Sequence, residues 1–207
     1  VGIYAYADAG TATVTTGVDS VTSATSDYYA TGILAAGYNS AIVDNSGSVY
    51  AVAGVEDGLG ESYGALAGSS GLASVTNSGH IDSSATGLFA RALGAGAYSV
   101  NDTAIVTNSG SISASASGSG YATAVGVAVE SPTYWAVVEN EDGGSIDASA
   151  DSYDGAQATG VYAIGYGVEV YNAGAISASA EAGAEYGGAT ATGVFASTYE
   201  IFEDGRV

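Results

Sequence analysis

Between Val106 and Ala116 the side chains alternate with a period of two. Val106, Asn108, Gly110, Ile112, Ala114 and Ala116 fall on one face, and Thr107, Ser109, Ser111, Ser113 and Ser115 on the other. One face is small and apolar and the other carries hydroxyls, which predicts a strand buried on one side. A helix is a poor reading here. The apolar positions do not recur at three and four, and Gly, Ser and Thr in bulk are weak helix formers.

The pattern returns along the whole chain. It runs through Val43, Asn45, Gly47, Val49 and Ala51; Val75, Asn77, Gly79 and Ile81; Val106 to Ala114; Val138, Asn140, Gly144, Ile146 and Ala148; and Val170, Asn172, Gly174, Ile176 and Ala178. The asparagines step by 32, 31, 32 and 32 residues. A fixed period of this size means one supersecondary unit stacking on the next, since a single strand per repeat cannot bury its apolar face alone. A second motif, Ala-Thr-Gly-aliphatic-aromatic-Ala in its fullest form, accompanies the first. Its glycines are placed at Gly2, Gly32, Gly64, Gly87, Gly126, Gly160 and Gly193, with spacings of 30, 32, 23, 39, 34 and 33. The unevenness predicts variable loops between regular strands.

These patterns predict an all-β fold, a parallel β-helix (β-solenoid) of about six rungs of roughly 32 residues, stacked about 4.8 Å apart into a rod about 30 Å long. Each rung comprises a strand through the asparagine motif, a bend at its glycine, a Ser/Ala strand, a variable loop and a strand through the second motif. Asn45, Asn77, Asn108, Asn140 and Asn172 lie on the inward parity and are expected to form a structural ladder of amides with no catalytic role. In the second motif Ile33, Leu88, Val127, Val161 and Val194 are expected inward, with the intervening Tyr4, Leu34, Leu66, Phe89, Ala128, Tyr162 and Phe195 forming an outward apolar column. Exposed, that column marks an interaction surface; covered by a loop, or with the faces reversed, it is core.

Composition fits strands and tight turns: 32 of 207 residues are Gly, one is Pro (Pro132), and Cys and Met are absent. Residues 1–207 read as a single repeat domain without a linker. Val1 to Ala7 resembles the middle of a repeat, so the chain is expected to be a piece of a longer solenoid. The net charge of −20, from 22 carboxylates against Arg91 and Arg206, argues against binding to nucleic acid. No apolar run reaches membrane-spanning length, so no membrane insertion by this segment is expected.

Candidate chemistry is sparse. His80 is the sole histidine and reads as a surface residue, because no Ser, Cys or second His constellation accompanies it. With one histidine and no cysteine, a tetrahedral zinc site cannot be built. The densest acidic stretch holds Glu139, Glu141, Asp142, Asp147, Asp151 and Asp154, of which Glu139, Glu141 and Asp142 are the candidate ligands for calcium; a solvated acidic loop is the plainer reading. No other cofactor is expected. Gly58 to Gly60 and Gly94 to Gly96 read as turns, lacking the helix and basic residue that phosphate binding needs. Thr11, Thr13 and Thr15 resemble a fragment of an ice-binding ladder that does not persist. Tyrosine is the remaining lead, with 16 copies. Tyr28, Tyr29, Tyr38, Tyr63, Tyr98, Tyr121, Tyr134, Tyr153 and Tyr186 lie in or beside the variable segments, and Trp135 adjoins Tyr134. Such rings supply contact area for sugars or proteins, or form lids over the loops.

The runs Val106 to Ala114 and Ala158 to Ala163 resemble the repeats of bacterial type V secreted proteins, the autotransporter passengers and related surface adhesins, over nearly the whole chain. The resemblance implies a right-handed β-helix displayed at the bacterial cell surface or outside the cell. The expected function is a non-enzymatic, adhesin-like rod that binds glycans, host proteins or sister molecules through Tyr4, Phe89, Tyr162, Phe195, Tyr134 and Trp135 and the variable loops. Alternatives are a self-assembling filament subunit, joined end to end or laterally, and a carbohydrate-active β-helix enzyme or ice-binding protein.

Overall fold

The computed structural model describes residues 1–184 and 187–199. Its strands join in one parallel sheet that coils on itself into a β-solenoid, and the described residues contain no helix. Each coil has three sides. In the first coil these are β1 (Ile3–Ala7), β2 (Thr11–Thr16) and β3 (Val21–Ser26); in the second, β4 (Tyr29–Gly37), β5 (Ser40–Asn45) and β6 (Ser48–Gly54). The third coil contains β7 (Leu59–Ser69), β8 (Leu72–Asn77) and the start of β9 (His80–Ser99), which turns a corner to begin the fourth. β10 (Ala104–Asn108) and the start of β11 (Ser111–Asn140) complete the fourth coil. The rest of β11 makes two sides of the fifth, closed by β12 (Ser145–Ser152). β13 (Gly155–Asn172) and β14 (Ala175–Ala182) form the sixth, and β15 (Gly188–Thr198) opens a seventh.

The side through β5, β8 and β10 carries the asparagines at its end, and Asn45, Asn77, Asn108 and Asn140 are fully buried. Their amides form the predicted ladder. Asn45 Nδ2 donates to Asn77 Oδ1 at 2.7 Å, Asn77 to Asn108 at 2.8 Å, Asn108 to Asn140 at 2.8 Å and Asn140 to Asn172 at 2.7 Å. Each amide also donates to the carbonyl of its own bend glycine, as Asn108 does to Gly110 at 3.2 Å. Thr16 takes the asparagine's place in the first coil, donating to Asn45 Oδ1 at 2.5 Å. Every buried side-chain polar atom among the described residues has a partner, so the hydrogen bonds of the ladder offset the cost of burying its amides. In the fourth copy the bend is two residues longer, and Gly143 absorbs the insertion with φ of +81°.

After the bend comes the serine side, made of β3, β6, the start of β9, the start of β11, β12 and β14. Its Val49, Ile81, Ile112 and Ile146 point into the main core beside Ile33, Val43, Val75, Val106, Val127, Val138 and Val161. Further along, Ala114 and Ala116 meet Ala122 and Ala124 of the returning strand in a second core made only of alanine. Side chains this small let the two sheet layers approach closely, so the coil narrows there into a thin wing.

The third side returns from the wing tip to the main core, and it bends on the way. Gly2, Gly32, Gly64, Gly94, Gly126 and Gly160 stack at the bend, each against the carbonyl of the next, and the last of them against Gly193. The β-branched residue of the asparagine motif fills the crook beneath: a Cβ on Gly94 would lie 2.5 Å from Ile112 Cγ2 and 2.6 Å from Gly126 O. Side-chain parity flips at this column. Ala92 before Gly94 and Ala95 after it are both buried, and likewise Ala124 and Val127 around Gly126.

Two expectations are corrected here. Gly94 occupies the place assigned to Gly87, and with it the glycine spacings become 30, 32, 30, 32, 34 and 33. Leu88 is therefore not an inward residue of this column; it lies 38% exposed at the wing tip. Val194 keeps the expected inward register, paired with buried Val161, and is 45% exposed on the last described coil. The second correction concerns loops. Residues 139–154 are not one acidic loop: Glu141 and Asp142 sit in the bend, Asp147 and Asp151 point outward from β12, and Asp154 lies at the wing tip.

Candidate functional site

The bend that the glycine column imposes on the third side hollows its outer surface into a furrow along the stack. Because parity flips at each glycine, the residue before it and the second one after it both face outward, one on each slope. Tyr63 and Leu66 stand in this relation around Gly64, and Val125 and Ala128 around Gly126. Two hollows of about 320 and 300 Å³ adjoin along the furrow and share Leu93, Ala128 and Glu130. Tyr63, Arg91, Thr123 and Tyr162 complete the first. Leu34, Leu66, Gly96 and Tyr98 line the second, which is almost wholly apolar.

Polar groups sit on the slopes. Arg91 Nη1 donates to Glu61 Oε1 at 3.2 Å, with the guanidinium largely exposed and the carboxylate mostly covered. The Tyr63 hydroxyl donates to the same carboxylate at 3.4 Å. An ion pair this open contributes little to stability; its effect is to hold Arg91 and Tyr63 in place. Tyr29 packs against Tyr63 with ring centroids 5.2 Å apart, and Tyr162 stacks on Phe195 at 5.2 Å and 10°. Glu130 stands in the outward column between Tyr98 and Ile164, half-buried, and has no cationic partner among the described residues.

Partial burial raises the Tyr63 phenol, with the Glu61 carboxylate adding to it; burial, then Glu130, raises that of Tyr162. Raised folded-state values mean that the fold's advantage from these neutral phenols is complete below the ordinary value of about 10 and is lost as pH climbs through the raised values. Stability is therefore expected to be insensitive to these two groups at neutral pH and to fall above pH of about 10. Tyr63→Phe should blunt that fall, as read from urea midpoints on both sides of it; an unchanged alkaline slope would count against a covered Tyr63.

Of the residues expected to form a binding surface, Tyr4, Tyr162 and Phe195 share one outward column with Leu34, Leu66, Gly96 and Ala128. Phe89 does not belong to it. It lies at the wing tip in register with Leu59 and Tyr121, its ring stacked on Tyr121 at 6.2 Å, because Gly96 fills the position that the Gly87 alignment gave to Phe89. Tyr134 and Trp135 are exposed at another corner, where the indole covers the backbone of Gly167 one coil on. Tyr186 lies outside the described residues. The outward positions following Thr11, Thr13 and Thr15 are Ser40, Ile42 and Asp44, so no threonine array continues there.

Glu139, Glu141 and Asp142 do not converge. Glu139 points outward from the asparagine side and accepts from Thr107 Oγ1 at 3.3 Å, whereas the other two lie in the bend beyond buried Asn140. Among the described residues no three acidic or histidine side chains form a group that could hold a metal ion. His80 opens its strand on the serine side, where Nδ1 shares a 2.6 Å hydrogen bond with Ser111 Oγ and the ring packs on Tyr50. It faces no cavity of the furrow.

No protein-family model, no curated protein and no solved structure matches this chain.

Proposed function

We infer that this chain is a non-enzymatic adhesive rod, displayed at a bacterial cell surface or outside the cell in the manner of the autotransporter passengers it resembles, and that its partner is held in the furrow of the bent side. The observation that carries this reading is the furrow: tyrosine and leucine side chains line two adjoining hollows along the coil stack. An outward apolar surface costs a soluble protein in aggregation, and a binding role accounts for keeping it. The net charge of −20 supports the same reading, since it keeps rods apart in solution without covering the furrow. Binding is favoured over hydrolysis because Glu61 is already engaged by Arg91 and Tyr63, leaving Glu130 without a second free carboxylate beside it among the described furrow residues.

The test is retention of the purified protein on an array of immobilised extracellular-matrix proteins and glycans. The wild type should be retained on at least one spot, and the double variant Leu66→Asp, Leu93→Asp should lose that retention with its melting temperature nearly unchanged, both side chains being outward. No retention of the wild type, or equal retention of the variant, would overturn the reading.

A further inference from the structure

We propose that the occupant of the furrow is an extended, amphipathic, cationic polypeptide segment of another protein; this deepens the adhesive-rod reading and rests on it. The shape and charge of the furrow select that occupant. Its floor is Leu34, Leu66 and Ala128 of one outward column, which Gly96 interrupts in the fourth coil, with Leu93 facing the gap from the other slope; these apolar contacts along the stack reward a ligand with apolar side chains in line. A glycan would leave hydroxyls unpaired against those leucines, which opposes its binding. Glu130 lines both hollows, half-buried and unanswered by any cation among the described residues. It calls for a Lys or Arg at the point where the two hollows meet. A second copy of this chain is a poor supplier: it brings the same charge of −20 and only two basic residues. Anionic polymers and anionic lipid surfaces are repelled by that charge.

An extended backbone suits the site because the furrow is open along its length. The occupant's outer amides stay in water while alternate side chains descend between Tyr63, Tyr98 and Tyr162. Arg91, held on the slope by Glu61, adds specificity by turning away a second cation next to the first.

Calorimetric titration of the full chain tests this with a short blocked peptide that alternates Leu with Thr and carries one central Lys. Two comparators replace the Lys by Glu or every Leu by Ser. The first peptide is expected to bind at least about tenfold more tightly than either comparator, the loss of one buried leucine or one paired charge being worth about that factor. Glu130→Gln should weaken it about fivefold, while Asp151→Asn, on the distant serine side, should leave it unchanged. No binding of the leucine–lysine peptide, equal binding of the serine peptide, or equal effects of the two substitutions would overturn the proposal, the last two showing only diffuse attraction to a polyanion. The two readings fail separately. Array retention that depends on Leu66 and Leu93 but is not competed by the peptide removes the ligand class and leaves the adhesive rod. Peptide binding with a silent array does the reverse.

Discussion

Replacing Asn108 by alanine is expected to lower the unfolding free energy by about 4 kcal/mol. Asn108 sits inside the ladder, accepting from Asn77 Nδ2 at 2.8 Å and donating to Asn140 Oδ1 at 2.8 Å and to Ser145 O at 3.0 Å. Alanine would orphan the buried Asn140 Oδ1 at a cost of about 1–3 kcal/mol, leave Asn77 Nδ2 only the Gly79 and Ser111 carbonyls, and open a cavity in the stack. The same substitution at Asn172 should cost only about 1 kcal/mol, because that residue is exposed and Asn140 Nδ2 keeps its bonds to the Gly144 and Ala175 carbonyls. Sequence alone treats the two as equivalent copies. Urea denaturation followed by circular dichroism distinguishes them, and equal shifts would mean that the ladder is not the buried, continuous chain described above.

Gly94→Ala is the second large effect. The added methyl would lie 2.5 Å from Ile112 Cγ2 and 2.6 Å from Gly126 O, inside the contact distance of both. Neither neighbour is free to yield, the isoleucine being fully buried and the carbonyl belonging to the next coil's bend. Overpacking of this kind costs about 3 kcal/mol, and relief requires the bend itself to open. Gly68→Ala is the control: it lies on the same side of the coil, two residues beyond Leu66, and a Cβ there meets nothing within 4 Å. It should change stability by less than about 0.5 kcal/mol. If the two alanines behave alike, the glycine column does not set the bend, and the furrow loses its structural cause.

The contrast between these two devices explains what could be read in advance. The asparagine ladder was legible because a polar residue recurring on an inward parity has one economical explanation, and because its spacing hardly varies. The furrow was not legible, since alternation of two was carried through the glycine as though the strand were straight. Across Gly64 and Gly126 that assumption reverses the outward set on one slope, where Tyr63 and Val125 stand outward together with Leu66 and Ala128.

The choice of Gly87 compounded this. Ala85-Thr86-Gly87-Leu88-Phe89-Ala90 matches the motif letter by letter, whereas Ala92-Leu93-Gly94-Ala95-Gly96-Ala97 matches it only in size. Stacked coils select by volume and register, so the second is the true equivalent, and the 23- and 39-residue spacings were the signal that the first was wrong. Glu130 and Arg91 carry no motif at all. Their importance comes from lying on the slopes of a bend that only the glycine column creates.

The binding role of the furrow is open to a direct measurement, because the chain has no cysteine and any single thiol introduced is unique. Ala128→Cys places one on the furrow floor, and Ser115→Cys places one outward on the serine side. Each variant is coupled to a bulky maleimide and its retention on the adhesive array is compared with that of the unlabelled protein. Labelling at position 128 is expected to abolish retention while labelling at 115 leaves it intact. Retention that survives the furrow label, or that is lost equally with both, would contradict the account.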